Sequence, residues 1–191
     1  MKKLTFTLII VMGVINGLVA QNSEIRSLAT FDKIKLDGNA RLYLIKSDTP
    51  SIKLETRKNV YLGNYVTEVR NGTLYLHFER RHRRNNDRKV DIYLSYTTLN
   101  NIDVDGFIRL ESYQALTMDQ LVIKGDGFIK GDIIVDVNDL SIDLDGFCGL
   151  TVSGKANSVD LKIDGFGKIN AKHLETTRAH TDADGFSKIR I

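Results

Sequence analysis

Cysteine, proline and tryptophan are almost missing from this chain: one, one and none among 191 residues. With Cys148 as the single thiol there is no internal disulfide framework, so an apolar core and backbone ladders must hold the fold. Cys148 itself reads as a small buried filler. No segment shows a convincing helical period, and beyond residue 20 no apolar run is long enough to span a membrane. With 42% hydrophobic and 27% charged residues, the composition is neither disordered nor collagen-like.

The first 20 residues stand apart. Met1-Lys2-Lys3 supplies a positive start, Leu4 to Val19 is almost wholly apolar and uncharged, and Leu18-Val19-Ala20 offers a cleavage point before Gln21. This is the layout of a secretory signal peptide, 1–20, followed by a short linker, 21–30. The expected location is exported: the periplasm, the outer-membrane surface or the extracellular space.

A strong overall charge is also lacking. The formal charge of +3 falls to +1 once Lys2 and Lys3 are removed. The distribution is uneven, however. Residues 80–89 hold six basic groups and one acid, a local +5 against −4 for the rest of the mature chain. This basic loop, 79–89, interrupts two strand-like runs, Thr73 to Phe78 and Val90 to Tyr96, and is expected as the tip of a hairpin. Arg80, Arg81, Arg83, Arg84, Arg88 and Lys89 are candidate contacts for anionic glycans, lipopolysaccharide phosphates or an acidic envelope or surface protein. A plain solvated loop is the alternative. No aromatic platform is interleaved with these cations, and an exported chain rarely meets nucleic acid, so none is expected as a partner.

What is abundant is repetition. Asp-Gly-Phe occurs at 105–107, 126–128, 145–147, 164–166 and 184–186, at spacings of 21, 19, 19 and 20. A period near 20 with strand-like sequence indicates stacked β coils. Residues one, three and five before each Asp are mostly apolar, as in Leu144, Ile142 and Leu140, and a second apolar alternation follows the corner. Two residues before each Asp stand Asp103, Lys124, Asp143, Lys162 and Asp182, whose alternating signs suit coils stacked in order and in register. The fold class is therefore all-β, a parallel β-solenoid with coils of about 20 residues.

The repeat-corner residues are Asp105, Phe107, Asp126, Phe128, Asp145, Phe147, Asp164, Phe166, Asp184 and Phe186. Gly accepts positive φ, Asp bonds nearby backbone N–H groups, and each Phe is expected to stack on the next in one five-ring ladder. Arg109, Lys130, Gly149, Lys168 and Lys188 form a mostly basic column beside it. Residues 31–100 read as irregular coils, with a corner at Asp37-Gly38 and a hairpin turn at Asn71-Gly72; 101–191 are the regular repeats.

The order of parts resembles the putative auto-transporter adhesin, head GIN domain family of exported Bacteroidetes-type proteins, over residues 31–191. The resemblance lies in Phe31-Asp32-Lys33-Ile34-Lys35-Leu36-Asp37-Gly38, then Ile52-Lys53-Leu54-Glu55, then Asn71-Gly72-Thr73-Leu74-Tyr75-Leu76, then the coils. Asp-Gly-Phe stands where the family usually carries Ser-Gly-Ser-Gly at the corner. The resemblance implies a right-handed parallel β-helix and an envelope or surface location, and carries over no catalytic residues.

The chemistry left to weigh is sparse. The Asp column reads as turn-capping, with calcium the competing reading, although each coil supplies one corner carboxylate and the nonapeptide pattern is absent. His77, His82, His173 and His180 match no metal spacing. No paired carboxylates break the repeat as a catalytic cluster should. The expected function is a non-catalytic adhesin-like binding or scaffold module, with no metal and no cofactor. A polysaccharide-cleaving β-helix enzyme is the alternative.

Overall fold

The structure, a computed structural model, describes residues 22–56, 60–79 and 89–191. The expected signal segment and five members of the basic loop (Arg80, Arg81, Arg83, Arg84 and Arg88) lie outside the described residues.

Among the described residues, nine strands form one open, mostly parallel sheet. They are β1 (Asn22–Ser27), β2 (Lys33–Lys46), β3 (Ser51–Thr56), β4 (Tyr65–Arg70), β5 (Thr73–Phe78), β6 (Val90–Tyr96), β7 (Asn101–Ser112), β8 (Leu116–Ala183) and β9 (Phe186–Arg190). One 3-10 turn, Leu62–Asn64, precedes β4. The all-β expectation is met in full among these residues.

Alternation decides where the chain goes. In β2 the side chains of Ile34 and Leu36 point inward before the Asp37-Gly38 corner, and those of Ala40, Leu42 and Leu44 after it. β7 lies parallel along β2 from Lys33 to Leu44, pairing Asp37 with Asp105, Gly38 with Gly106 and Asn39 with Phe107. β8 continues in the same sense, pairing Asp105 with Asp126 and Phe107 with Phe128. At about 3.3 Å per residue, 68 residues would extend roughly 220 Å if β8 were straight. It instead comes back beside itself, so that Gly146 lies against the backbone of Gly127 and Gly165 against that of Gly146. β9 closes the series with Phe166 opposite Phe186.

The core is built from columns rather than from one cluster of bulky groups. Ile34, Ile102, Ile123, Ile142 and Leu161 come from five successive layers, and each is fully shielded from solvent. Each such side chain contributes roughly 1.5–3 kcal/mol of burial. Gly125 leaves a gap in the neighbouring column, which Leu144 and Ile129 fill: a Cβ there would stand 2.8 and 3.0 Å from them.

Two expectations are corrected at the N-terminal end. The basic segment does not join the arms of a hairpin. β5 pairs in parallel with the first half of β2, through Lys33↔Thr73, and β6 in parallel with the second half, through Ala40↔Val90. β5 and β6 thus lie side by side along the two successive halves of β2. Among the described residues the hairpin of this region is β4–β5, whose turn residues Asn71 and Gly72 take φ of 48° and 74°.

The stretch 21–30, expected as a linker, contains β1, which runs antiparallel on β3. Arg26 fixes it there. Its guanidinium donates to the Leu62 carbonyl at 2.8 Å, to the Tyr65 carbonyl at 2.5 Å and to Thr67 Oγ1 at 2.9 Å. Its Nε also pairs with Glu24 at 2.9 Å, and that hydrogen bond holds the Glu24 carboxyl below its usual range. Sequence alternation alone does not reveal an anchor whose partners lie about 40 residues away.

Candidate functional site

The corner tripeptide builds one edge of the stack. Its glycines, from Gly38 to Gly185, all have positive φ. At Gly106, φ is +109°, and a Cβ would lie 2.3 Å from the carbonyl oxygen of Gly38 in the layer before. Only glycine permits both the bend and that approach. The aspartates stand exposed on one side of the bend and the phenylalanines on the other.

The five rings do not form a single ladder. Phe107 stacks on Phe128 with centroids 5.8 Å apart; Phe147, Phe166 and Phe186 form a separate stack at 5.3 and 5.1 Å. The break has a local cause. In the basic column Gly149 replaces a long side chain, and the stem of Lys130 lies across it, 3.4 Å from where a Cβ would be. Lys130 thereby brings its ammonium to 4.6 Å from the Phe128 ring centroid, a cation–π contact in place of the missing ring contact.

The rings are large, apolar and open to solvent, from 36% exposed at Phe128 to 80% at Phe186. A contiguous stripe of exposed apolar rings is the kind of surface through which proteins commonly make contacts. Next to it, Arg109 is held by Glu111 and, at 3.7 Å, by Asp132. The Glu111 hydrogen bond raises the Arg109 pKa, so this cation is fixed in both charge and position. Of the alternating column, Lys35 and Asp103 close to 3.5 Å, a surface pair.

At the head of this edge the pattern changes. In β2 the third corner residue is Asn39, not Phe, and the Cβ position of Gly38 meets nothing within 4 Å. Lys89 immediately precedes Val90, the partner of Ala40, and so stands beside Asn39. A groove of about 230 Å³ opens here, with Ala40 and Ile108 in its floor and Asn39, Lys89, Phe107, Arg109, Phe128 and Lys130 around it. Among the described residues, three cations, two aromatic rings and no carboxylate line it. The basic loop and the repeat corner, far apart in sequence, thus meet through Lys89, Phe107 and Phe128. Phe147, Phe166 and Phe186, with the five corner aspartates, lie outside the groove along the same edge.

A second hollow of about 420 Å³ lies between Lys46, Asn100 and Asp119. Its lysine is already engaged with the Thr97 carbonyl and lies 5.4 Å from the centre of the Tyr96 ring. Nearby runs a polar ladder that sequence reasoning missed. Asn138 Nδ2 donates to Asp119 at 2.6 Å, and Asn157 Nδ2 donates to Asn138 at 2.7 Å. The signal was there: these residues fall seven before Asp126, Asp145 and Asp164.

Among the described residues no three His, Cys, Asp or Glu side chains gather as a metal site. Cys148 is buried, and burial first, then the Asp145 and Asp126 carboxylates, push its thiol up to about 11. That is a packed, unreactive sulfur.

The chain belongs to the family described as putative auto-transporter adhesin, head GIN domain, whose model matches residues 30–191. Its fold is similar to that of a putative adhesin from Bacteroides fragilis NCTC 9343, with a TM-score of 0.81 at 22% identity over 88% of this chain and 78% of that one. It is also similar to a putative lipid binding protein from Parabacteroides distasonis ATCC 8503, with a TM-score of 0.66 at 18% identity over 88% and 80% of the two chains. A putative adhesin from Parabacteroides merdae ATCC 43184 gives 0.64 at 17% identity, with the same coverage. No curated protein matches the chain.

Proposed function

We propose that this chain is an exported, non-catalytic adhesin-like module of the cell envelope or surface, and that its layers wind as a right-handed parallel β-helix presenting the corner edge to an extended partner. The observation that carries the reading is the edge itself: exposed rings beside a basic column, ending in a groove whose described lining holds three cations and no carboxylate. Solenoids suit such contacts because successive layers repeat one surface about every 4.8 Å, matching a polymer or a long protein face. Family membership supports the adhesin-like class. The apolar, basic-headed opening segment supports export. No helix among the described residues is long and apolar enough to cross a membrane.

The partners proposed are anionic glycans or an envelope or surface protein. The usual glycoside hydrolase flanks the scissile bond with two carboxyl groups, and the described residues of the groove supply none; cleavage by hydrolysis or elimination is read by the assay below. The test is retention of the protein on immobilised anionic polysaccharide, lipopolysaccharide and neutral dextran across a salt gradient, with a reducing-end assay on the same polymers. Retention on the anionic supports that falls with salt, with no sugar released, is the expected result. Release of reducing ends, or equal retention on dextran, would overturn it.

A further inference from the structure

The far side of the last layer is open. β9 stands at the end of the strand order, paired with β8 on one side, and among the described residues no strand lies on its other side. Such an edge presents unpaired N–H and C=O groups, a template for another strand. The side chains of this layer match that exposure. Where the layer before it buries Val159, Leu161 and Ile163, the last one carries Ala179, Thr181 and Ala183, all exposed. Phe186 has Phe166 on one face, at 5.1 Å, and is still 80% exposed.

The charges of the edge are not satisfied from within. Among the described residues Asp182, Asp184, Lys188 and Arg190 form no ion pair. Lys188 stands in register on Lys168, a neighbour of its own sign. Along the edge the outward residues run Asp182, Asp184, Phe186, Lys188, Arg190: two acids, a ring, two bases. That order is its own complement when reversed. Laid antiparallel on a second copy about a two-fold axis at Phe186, Asp184 faces the partner's Lys188 and Asp182 faces the partner's Arg190. The two Phe186 rings meet at the axis. The inward positions match as well, small against large: Ala183 meets the partner's Ile189, and Thr181 meets the partner's Ile191. Residues directly opposite in an antiparallel pair share a face, where opposite charges and paired rings are favourable. Parallel pairing in register would instead set acid on acid and base on base.

We propose that this C-terminal edge is the interface for a second copy of the chain, joined tail to tail by antiparallel pairing of residues 181–191 about a two-fold axis near Phe186. The interface is isologous, so it closes at two copies and does not grow into a filament. It carries the Phe147, Phe166 and Phe186 stack across the axis and doubles the length of the corner edge. It does not depend on what that edge binds.

Sedimentation velocity of the purified chain over about 1–100 μM tests it. A dimer with a Kd of about 10 μM or tighter is the expected result. Asp184→Lys and Lys188→Asp each set like charges against each other twice across the axis, and each should raise that Kd at least about tenfold with an unchanged far-UV circular dichroism spectrum. The first variant carries two bases at these positions and the second two acids. An equimolar mixture therefore pairs opposite charges at both contacts, and the dimer should return; two misfolded variants could not restore it. The variant with both substitutions should again pair with itself. A monomeric mass at about 100 μM, wild-type association in either single variant, or no recovery on mixing the folded variants would overturn the interface.

Discussion

Replacing Gly106 by alanine attacks the stacking of layers at its closest point. Two costs follow from the structure. The residue sits at φ +109°, where an L side chain is strained by about 1–3 kcal/mol. The new methyl would also stand 2.3 Å from the Gly38 carbonyl oxygen, a backbone atom that cannot rotate away, so the two layers must separate locally. Overpacking of this kind adds about 1–3 kcal/mol. Gly38→Ala is the matched control, because Gly38 has φ +132° but nothing within 4 Å of its Cβ position. It pays for the strain alone. Gly149→Ala is the neutral control, since it meets only the flexible stem of Lys130. Urea and thermal unfolding followed by far-UV circular dichroism should rank the three variants Gly106→Ala, Gly38→Ala, Gly149→Ala from least to most stable. The first two should differ by about 1–3 kcal/mol, or about 2–12 °C in Tm for a chain of this size. Equal losses at Gly106 and Gly38 would mean that the corners do not rest on one another.

Three further outcomes can be measured in the same way. Asn138→Ala removes both side-chain hydrogen bonds of the polar ladder and should cost about 1 kcal/mol by urea unfolding, with Asn138→Asp worse near pH 7 because its carboxylate would face that of Asp119. Phe166→Ala loses two ring partners where Phe107→Ala loses one, so it should be the more destabilising by about 0.5–1.5 kcal/mol. The Cys148 thiol is raised to about 11 from 9.0, so the folded chain holds its proton more tightly than the unfolded one. Its contribution to stability is whole below about pH 9 and declines as pH climbs toward 11, and the difference in unfolding midpoint between wild type and Cys148→Ala should shrink over that window.

How far the sequence is legible depends on whether the deciding contacts are local or repeated. The corner period was readable because five copies of one tripeptide announce it, and the register of Phe107 on Phe128 follows. The Asn71-Gly72 turn was readable because its two residue types tolerate positive φ. The placement of β5 and β6 was not. Two alternating strands around a polar loop look locally like a hairpin, and only their separate pairing with the two halves of β2 shows otherwise. The five-ring ladder failed at Gly149, a substitution visible in the basic column whose effect on Lys130 needs three dimensions. The groove depended on the same kind of absence: Asp37-Gly38-Asn39 is a corner without its ring, and it gains meaning only once Asn39 is aligned with Phe107 and Lys89 is set beside it.

The most direct test of the stacked, in-register layers is a cross-link between them. In a Cys148→Ser background, cysteines at Asp103 and Lys124, directly paired across β7 and β8, should oxidise to a disulfide, since neighbouring layers lie about 4.8 Å apart, within the ~4.4–6.8 Å that the bond spans between Cα atoms. Cysteines at Asp103 and Asp143, two layers apart, should not. A cross-link in the second pair, or none in the first, would contradict the arrangement on which the corner edge and its groove are built.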